Sequence, residues 1–188
     1  LPAAIVESSG RLLYWRGIAR GFEAPGAGQR DEAAAYARFD AEGDSIGALL
    51  AAGEVLNQYF LASDNYGGSA LWLDRVATRY ERHFSELSPA LLDQVFGSLY
   101  FLAHTGADHP IWNRMIRDLA EIAARSRDPR VLGRIAPLGL HLNILRGDFS
   151  AARWYLSHLG PIVASPLAPP FLRAMVCGSA AVVAWQEA

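Results

Sequence analysis

Along the 188-residue chain, apolar residues recur at steps of three and four, the spacing of one helix face. Val76 and Tyr80 show it, as do Met115, Ile116 and Leu119. Period-two alternation of β-branched residues, the mark of a half-buried strand, is absent. Turn-forming residues punctuate the pattern. Phe22–Arg30 reads as a Gly/Pro loop, Gly43-Asp44 and Gly147-Asp148 as tight turns, and Ser63–Ser69 and Gly160–Pro170 as longer loops. Ser88-Pro89, His109-Pro110 and Asp128-Pro129 place Pro where the first helical turn tolerates it. The pattern predicts about nine helices, over 2–17, 31–42, 45–62, 69–84, 89–105, 110–125, 129–146, 149–159 and 169–187. Pro137 should bend its helix or mark its true start.

Two markers repeat. Trp72, Trp112 and Trp154 each stand near the start of a helix, 40 and 42 residues apart. Gly17, Gly53, Gly97, Gly139 and Gly178 fall inside the preceding helices, spaced 36, 44, 42 and 39. Glycine inside a helix costs about 1 kcal/mol relative to Ala, so a recurring one implies close approach of a neighbouring helix. The unit is a hairpin of about 40 residues, a long helix A with a central Gly and a shorter helix B opening on an aromatic. Such hairpins bury their apolar faces only by stacking. The predicted fold is therefore all-α, an α-α superhelix of antiparallel helix hairpins, forming a single helical-repeat domain over 1–188.

Composition narrows the function. The chain is 52% apolar with a net charge of −2, which suits a packed domain and gives no basic stripe for nucleic acid. All 17 basic residues are Arg, so chemistry that needs a lysine, such as a phosphate-loop lysine or a Schiff base, is excluded. Ala and Leu, the commonest residues, both favour helix. Cys177 stands alone in an apolar helix and reads as a small core residue. Neither a signal peptide nor a membrane span is expected, since the longest apolar stretch, Ala174–Trp185, is 12 residues. The chain lacks an initiator Met and reads as a piece of a longer cytoplasmic protein. The helix over 169–187 is apolar all round and should seek a partner.

The helix A segments Leu49–Ala52-Gly53–Leu56, Phe96-Gly97–Tyr100 and Ile135–Leu138-Gly139–Leu142 resemble the tetratricopeptide pattern of apolar or aromatic residues around a Gly. The stretch Arg146-Gly147-Asp148-Phe149-Ser150-Ala151-Ala152 resembles that family's interhelix turn, and Ala37 through Gly43-Asp44 its repeat boundary. The period is nearer 40 than 34, the helix A Trp is missing, and Asp93 takes its place in the third unit. These features are closer to the longer, degenerate repeats of MalT-like domains, found in large bacterial ATP-dependent transcriptional regulators. The resemblance implies a scaffold that binds a protein or a ligand.

Catalytic constellations are sparse. His104, Asp108 and His109 form the one candidate metal cluster, but they straddle a helix end without the geometry of a ligand set. Neither Tyr66-Gly67-Gly68-Ser69 nor Gly26-Ala27-Gly28 matches a nucleophile elbow or a dinucleotide loop. Arg125, Arg127, Arg130 and Arg134 make a small basic cluster at a helix junction, read as a solvated face or a dock for an acidic partner. No catalytic residue, metal or cofactor is expected.

The remaining signal is polarity on the A helices. By helical geometry, Glu54, Asn57 and Gln58, then Gln94, Ser98 and Phe101, then Asn143 fall on the face that would line an inner groove. Carboxamides there suit hydrogen bonding to a ligand or a peptide backbone, with Phe101 as apolar anchor. The expected function is a non-catalytic interaction or scaffold module of a larger bacterial signalling or transcriptional regulator. Its groove would take a protein or peptide partner, without direct contact to nucleic acid or membrane, and its ends would allow a homodimer. The rival readings are a small-molecule effector-sensing domain, an all-α enzyme, and a plain spacer or oligomerisation element.

Overall fold

The computed structural model of the chain describes residues 2–62, 67–99, 109–126 and 128–186, with positions 89, 93, 96, 98 and 99 described by backbone alone. The described residues are helical throughout, without a strand. The helices are α1 (Ala3–Glu7), α2 (Gly10–Gly21), α3 (Pro25–Glu42), α4 (Ser45–Ala62), α5 (Ser69–His83), α6 (Pro89–Leu99), α7 (Ile111–Arg125), α8 (Pro129–Leu145), α9 (Phe149–Ala164) and α10 (Pro170–Trp185). A short 3-10 turn, Phe84–Glu86, follows α5. The fold is all-α, as the hydrophobic spacing predicts. The chain divides into two compact units, Leu1–Gly106 and Ala107–Ala188, where the sequence reading expected one repeat domain.

Within the first unit, α2 packs on α3, α3 on α4 and α4 on α5; α2 also reaches α4, and α6 packs on α4 rather than on its sequence neighbour α5. The second unit follows the same rule, α7 on α8, α8 on α9 and α9 on α10, with α8 also touching α10. This neighbour-to-neighbour packing is what stacked helical hairpins require.

Local capping accounts for most helix ends. Gly43 closes α3 at φ 74°, where only a residue without a Cβ is comfortable. Asp44 then accepts the Gly47 N–H at 2.8 Å and starts α4. Gly147 and Asp148 repeat the device between α8 and α9, with Asp148 accepting from Ala151 N–H at 2.9 Å. Asp128 caps α8 through Arg130 N–H.

Three expected boundaries move. The segment 2–17 is two helices, because Ser9 caps α2 by accepting Leu12 N–H. The expected loop over 22–30 shrinks to Phe22–Ala24, because Pro25 opens α3 at a first-turn position. Helix α9 runs through Pro161 to Ala164, and α8 runs through Pro137, each continuous despite the missing proline N–H.

The core confirms the apolar register. Val76, Tyr80, Met115, Leu119 and Leu159 are fully buried. The three Trp markers differ: Trp112 is buried, Trp72 is half-buried against Tyr36, and Trp154 is more than one-third exposed, its ring tilted against His158. The glycine marker divides too. A Cβ at Gly17 would fall 2.4 Å from Glu32 Cγ, and one at Gly139 would fall 2.3 Å from the Tyr155 ring. Among the described residues, nothing lies within 4 Å of a Cβ built at Gly97 or Gly178, so no described contact requires glycine at either position. Cys177 is exposed, not a core residue. Helix α10 buries Leu172, Val176 and Val183 on one face and leaves Phe171 and Trp185 largely exposed.

The glycine geometry sets an order of tolerance. Gly28→Ala should be the most damaging, because its Cβ would lie 2.7 Å from Gly21 Cα and 2.8 Å from the Gly17 carbonyl, and backbone cannot swing aside. Gly139→Ala should cost roughly 1–3 kcal/mol, since the Tyr155 ring must shift. Gly178→Ala should stabilise by about 0.5–1 kcal/mol through helix propensity alone. Urea unfolding of the three variants measures that ranking.

A buried polar cluster and an exposed aromatic face in the first unit

Helices α2 and α3 approach so closely that backbone meets backbone, with Gly17 and Gly21 on α2 facing Gly28 on α3. The space left by the missing side chains is taken by polar groups. The Glu32 stem fills the position beside Gly17, and the Gln58 carboxamide fills the one beside Gly21. Gln58 Nε2 donates to Glu32 Oε1 at 2.9 Å, joining α4 to α3. Glu32 is 0% exposed and Gln58 2%.

Burial pushes the Glu32 carboxyl up to about 8, and the negative charge of Glu54 adds to the shift. Glu32 is thus a neutral acid at pH 7. That state changes the hydrogen-bond accounting. Glu32 Oε2 and Gln58 Oε1 are both buried acceptors without a partner when Glu32 is ionised. A proton on Oε2 makes it a donor, and Gln58 Oε1 is the vacant acceptor on the carboxamide it already binds.

Tyr14 and Gln94 extend the cluster. Gln94 Nε2 donates to the Tyr14 hydroxyl at 2.6 Å, joining α6 to α2. Burial, reinforced by the charge of Glu54, raises the Tyr14 hydroxyl above its ordinary range, so it stays protonated. Asn57 Nδ2 donates to Glu54 Oε2 at 3.2 Å. Below this cluster, Arg16 grips Asp31 with two bonds of 2.8 and 2.6 Å, and Arg20 adds a third at 3.1 Å. The fork is a second tie between α2 and α3.

Four of the seven residues picked out in the sequence therefore lie in one neighbourhood: Glu54, Asn57, Gln58 and Gln94. Their setting is the contact between helices; Gln58 is buried and the other three are half-buried. Asn143 belongs to the second unit, is 3% exposed, and donates to the Gly139 carbonyl of its own helix at 2.7 Å. The Ser98 side chain and Phe101 lie outside what the structure describes. So do His104 and Asp108 of the candidate metal cluster; His109 Nδ1 accepts Ile111 N–H at the start of α7. Among the described residues, no three His, Cys, Asp or Glu side chains gather as a metal ion would need.

Tyr14, Glu32 and the Arg16–Asp31 fork were not singled out in the sequence. The Gly17/Gly21 pair was the available signal: a helix that can approach so closely leaves room for a polar chain from its neighbour.

The opposite side of α2 is apolar and open. Trp15 is 61% exposed and Phe22 77%. With Ile18 and Ala19 they occupy positions i, i+3, i+4 and i+7, one continuous helix face. Helix α2 thus carries two apolar faces, one closed on α3 through glycines and one facing solvent.

No protein-family model matches the chain, and no curated protein or solved structure matches it.

The buried acid makes stability depend on pH in a defined direction. Between the ordinary carboxyl value of about 4.5 and about 8, folded Glu32 holds a proton that the unfolded chain has released. Stability of the first unit should therefore fall as pH rises through that window and level off above it. Glu32→Gln keeps the paired shape without the titration. Its thermal midpoint should show a flatter slope between pH 5 and pH 8 (approximate limits of the window) than that of the unsubstituted chain.

Proposed function

We propose that this chain is a non-catalytic interaction module, a tetratricopeptide-like and more particularly MalT-like helical repeat of a large bacterial transcriptional regulator acting in the cytoplasm. The observation that carries the reading is the open face of α2, with Trp15 and Phe22 one helical seam apart. Exposed aromatics at i and i+7 on a helix whose other face is fixed by glycine contacts suit the docking of an amphipathic partner helix. Aromatic side chains contribute much binding energy for little lost conformational freedom. The neighbour-to-neighbour helix packing supports the same reading, because stacked hairpins present successive helices as docking surfaces. The polar cluster around Glu32 holds that helix in place, and its acid group faces protein on all sides.

Site-specific photocrosslinking in the native host tests this. A benzophenone amino acid at Phe22 should trap a discrete partner, and one at the exposed Thr78 on α5 should not. Trp15→Ala should lower the yield at Phe22 by about tenfold or more, the loss expected of an aromatic anchor. Equal patterns from positions 22 and 78, or a yield indifferent to Trp15, would refute the interaction reading.

A further inference from the structure

The second unit holds a cavity of about 710 Å³ between α8, the end of α9 and the start of α10. That volume lies within the roughly 300–1,000 Å³ of small-molecule sites. Its walls are mainly apolar, built from Gly133, Ile162, Ala168 and Leu172 with Pro129, Pro161 and Pro169 at the ends of the helices. Three prolines fix the backbone around it, which makes the shape a preformed one.

Gly133 explains why the space exists. A Cβ there would meet nothing closer than Ile162 Cγ2 at 3.7 Å and Leu172 Cδ2 at 3.8 Å. No neighbouring helix needs this residue to be glycine, unlike Gly28 or Gly139. A larger side chain would simply occupy the cavity. Leu167, which lines the opening, is 90% exposed, so an apolar wall stands in water when the site is empty.

The two charged side chains in the lining, Arg130 and Arg134, are both basic. Arg130 and Arg134 stand one helical turn apart on α8 at the rim, both exposed. Arg173 holds the Ser165 carbonyl, part of the wall, at 2.6 Å, and its buried Nε has no acceptor. Among the described lining residues there is no Asp or Glu. An apolar slot with two guanidinium groups at its mouth is complementary to an anion carrying an apolar tail, and a carboxylate is the smallest planar group that such groups bind in bidentate fashion.

We propose that the α8–α9–α10 cavity binds a small amphipathic carboxylate, its headgroup held by Arg130 and Arg134 and its tail laid between Gly133, Ile162, Leu167 and Leu172. The tail covers the wetted wall, and the headgroup stays at the rim, where both arginines keep their contact with solvent. This site is independent of the α2 docking face, and the loss of one would leave the other.

The test uses the whole 188-residue chain. Decanoate, decanol and decyltrimethylammonium are titrated below their micelle-forming concentrations, with amide chemical shifts as readout. Decanoate should bind saturably, moving Gly133, Ile162 and Leu167, and about tenfold more tightly than decanol. Arg130→Gln with Arg134→Gln should remove that preference, and the corresponding Lys pair should retain most of it. Gly133→Leu should weaken decanoate by about tenfold or more without lowering the thermal midpoint, because it fills space without displacing backbone and favours the helix. Equal affinity for decanoate and decanol, a preference that survives the double Gln variant, or shifts confined to other helices would overturn the proposal. So would selective binding of a peptide ending in Leu-carboxylate when decanoate does not bind.

Discussion

The first unit depends on one close approach, the crossing of α2 over α3 at Gly17, Gly21 and Gly28. A single Cβ at Gly28 would collide with backbone atoms of α2. That crossing leaves room for only thin polar groups beside it, and Glu32 and Gln58 fill that room. Their burial then forces the protonation state. A charged carboxylate there would be desolvated, would face Glu54 and would leave two acceptors unpaired. A neutral acid removes the buried charge and turns Oε2 from an acceptor into a donor. Helix packing, hydrogen bonding and acidity at this point are consequences of one distance.

The same crossing orients α2. Once Tyr14, Gly17 and Gly21 face inward, Trp15 and Phe22 must face outward, because residues on one helix share a fixed angular order. The Arg16–Asp31 fork and the Gln94–Tyr14 bond hold that rotation from two further sides. The proposed docking face is thus rigid, which lowers the entropy a partner must overcome on binding.

The second unit uses glycine differently. Gly139 admits the Tyr155 ring, whereas Gly133 admits nothing and leaves a cavity. Both sit on α8, six residues apart, and their sequence contexts do not distinguish them. Asn143 lies one turn beyond Gly139 and bonds back to its carbonyl, so its polarity is absorbed by its own helix.

The sequence by itself determined the helical class, the paired Gly-Asp turns and the inward residues of each B helix. These follow from interactions within about four residues: a cap, a positive-φ glycine, an apolar step of three or four. The Ser9 break and the Pro25 start were equally local and could be read with the same rules. Glu54, Asn57 and Gln58 were legible as a polar face because helical spacing alone places them together; Gln94, on α6, joins them only through helix packing. Tertiary structure alone decided the rest. Among the described residues, Gly17 and Gly139 are contacts while Gly97 and Gly178 are not, Cys177 is outside, and Gln58 is buried beside an acid 26 residues earlier. Each of these depends on which helix crosses at that point. The energy of a crossing is shared between segments distant in the chain, so no local window contains it.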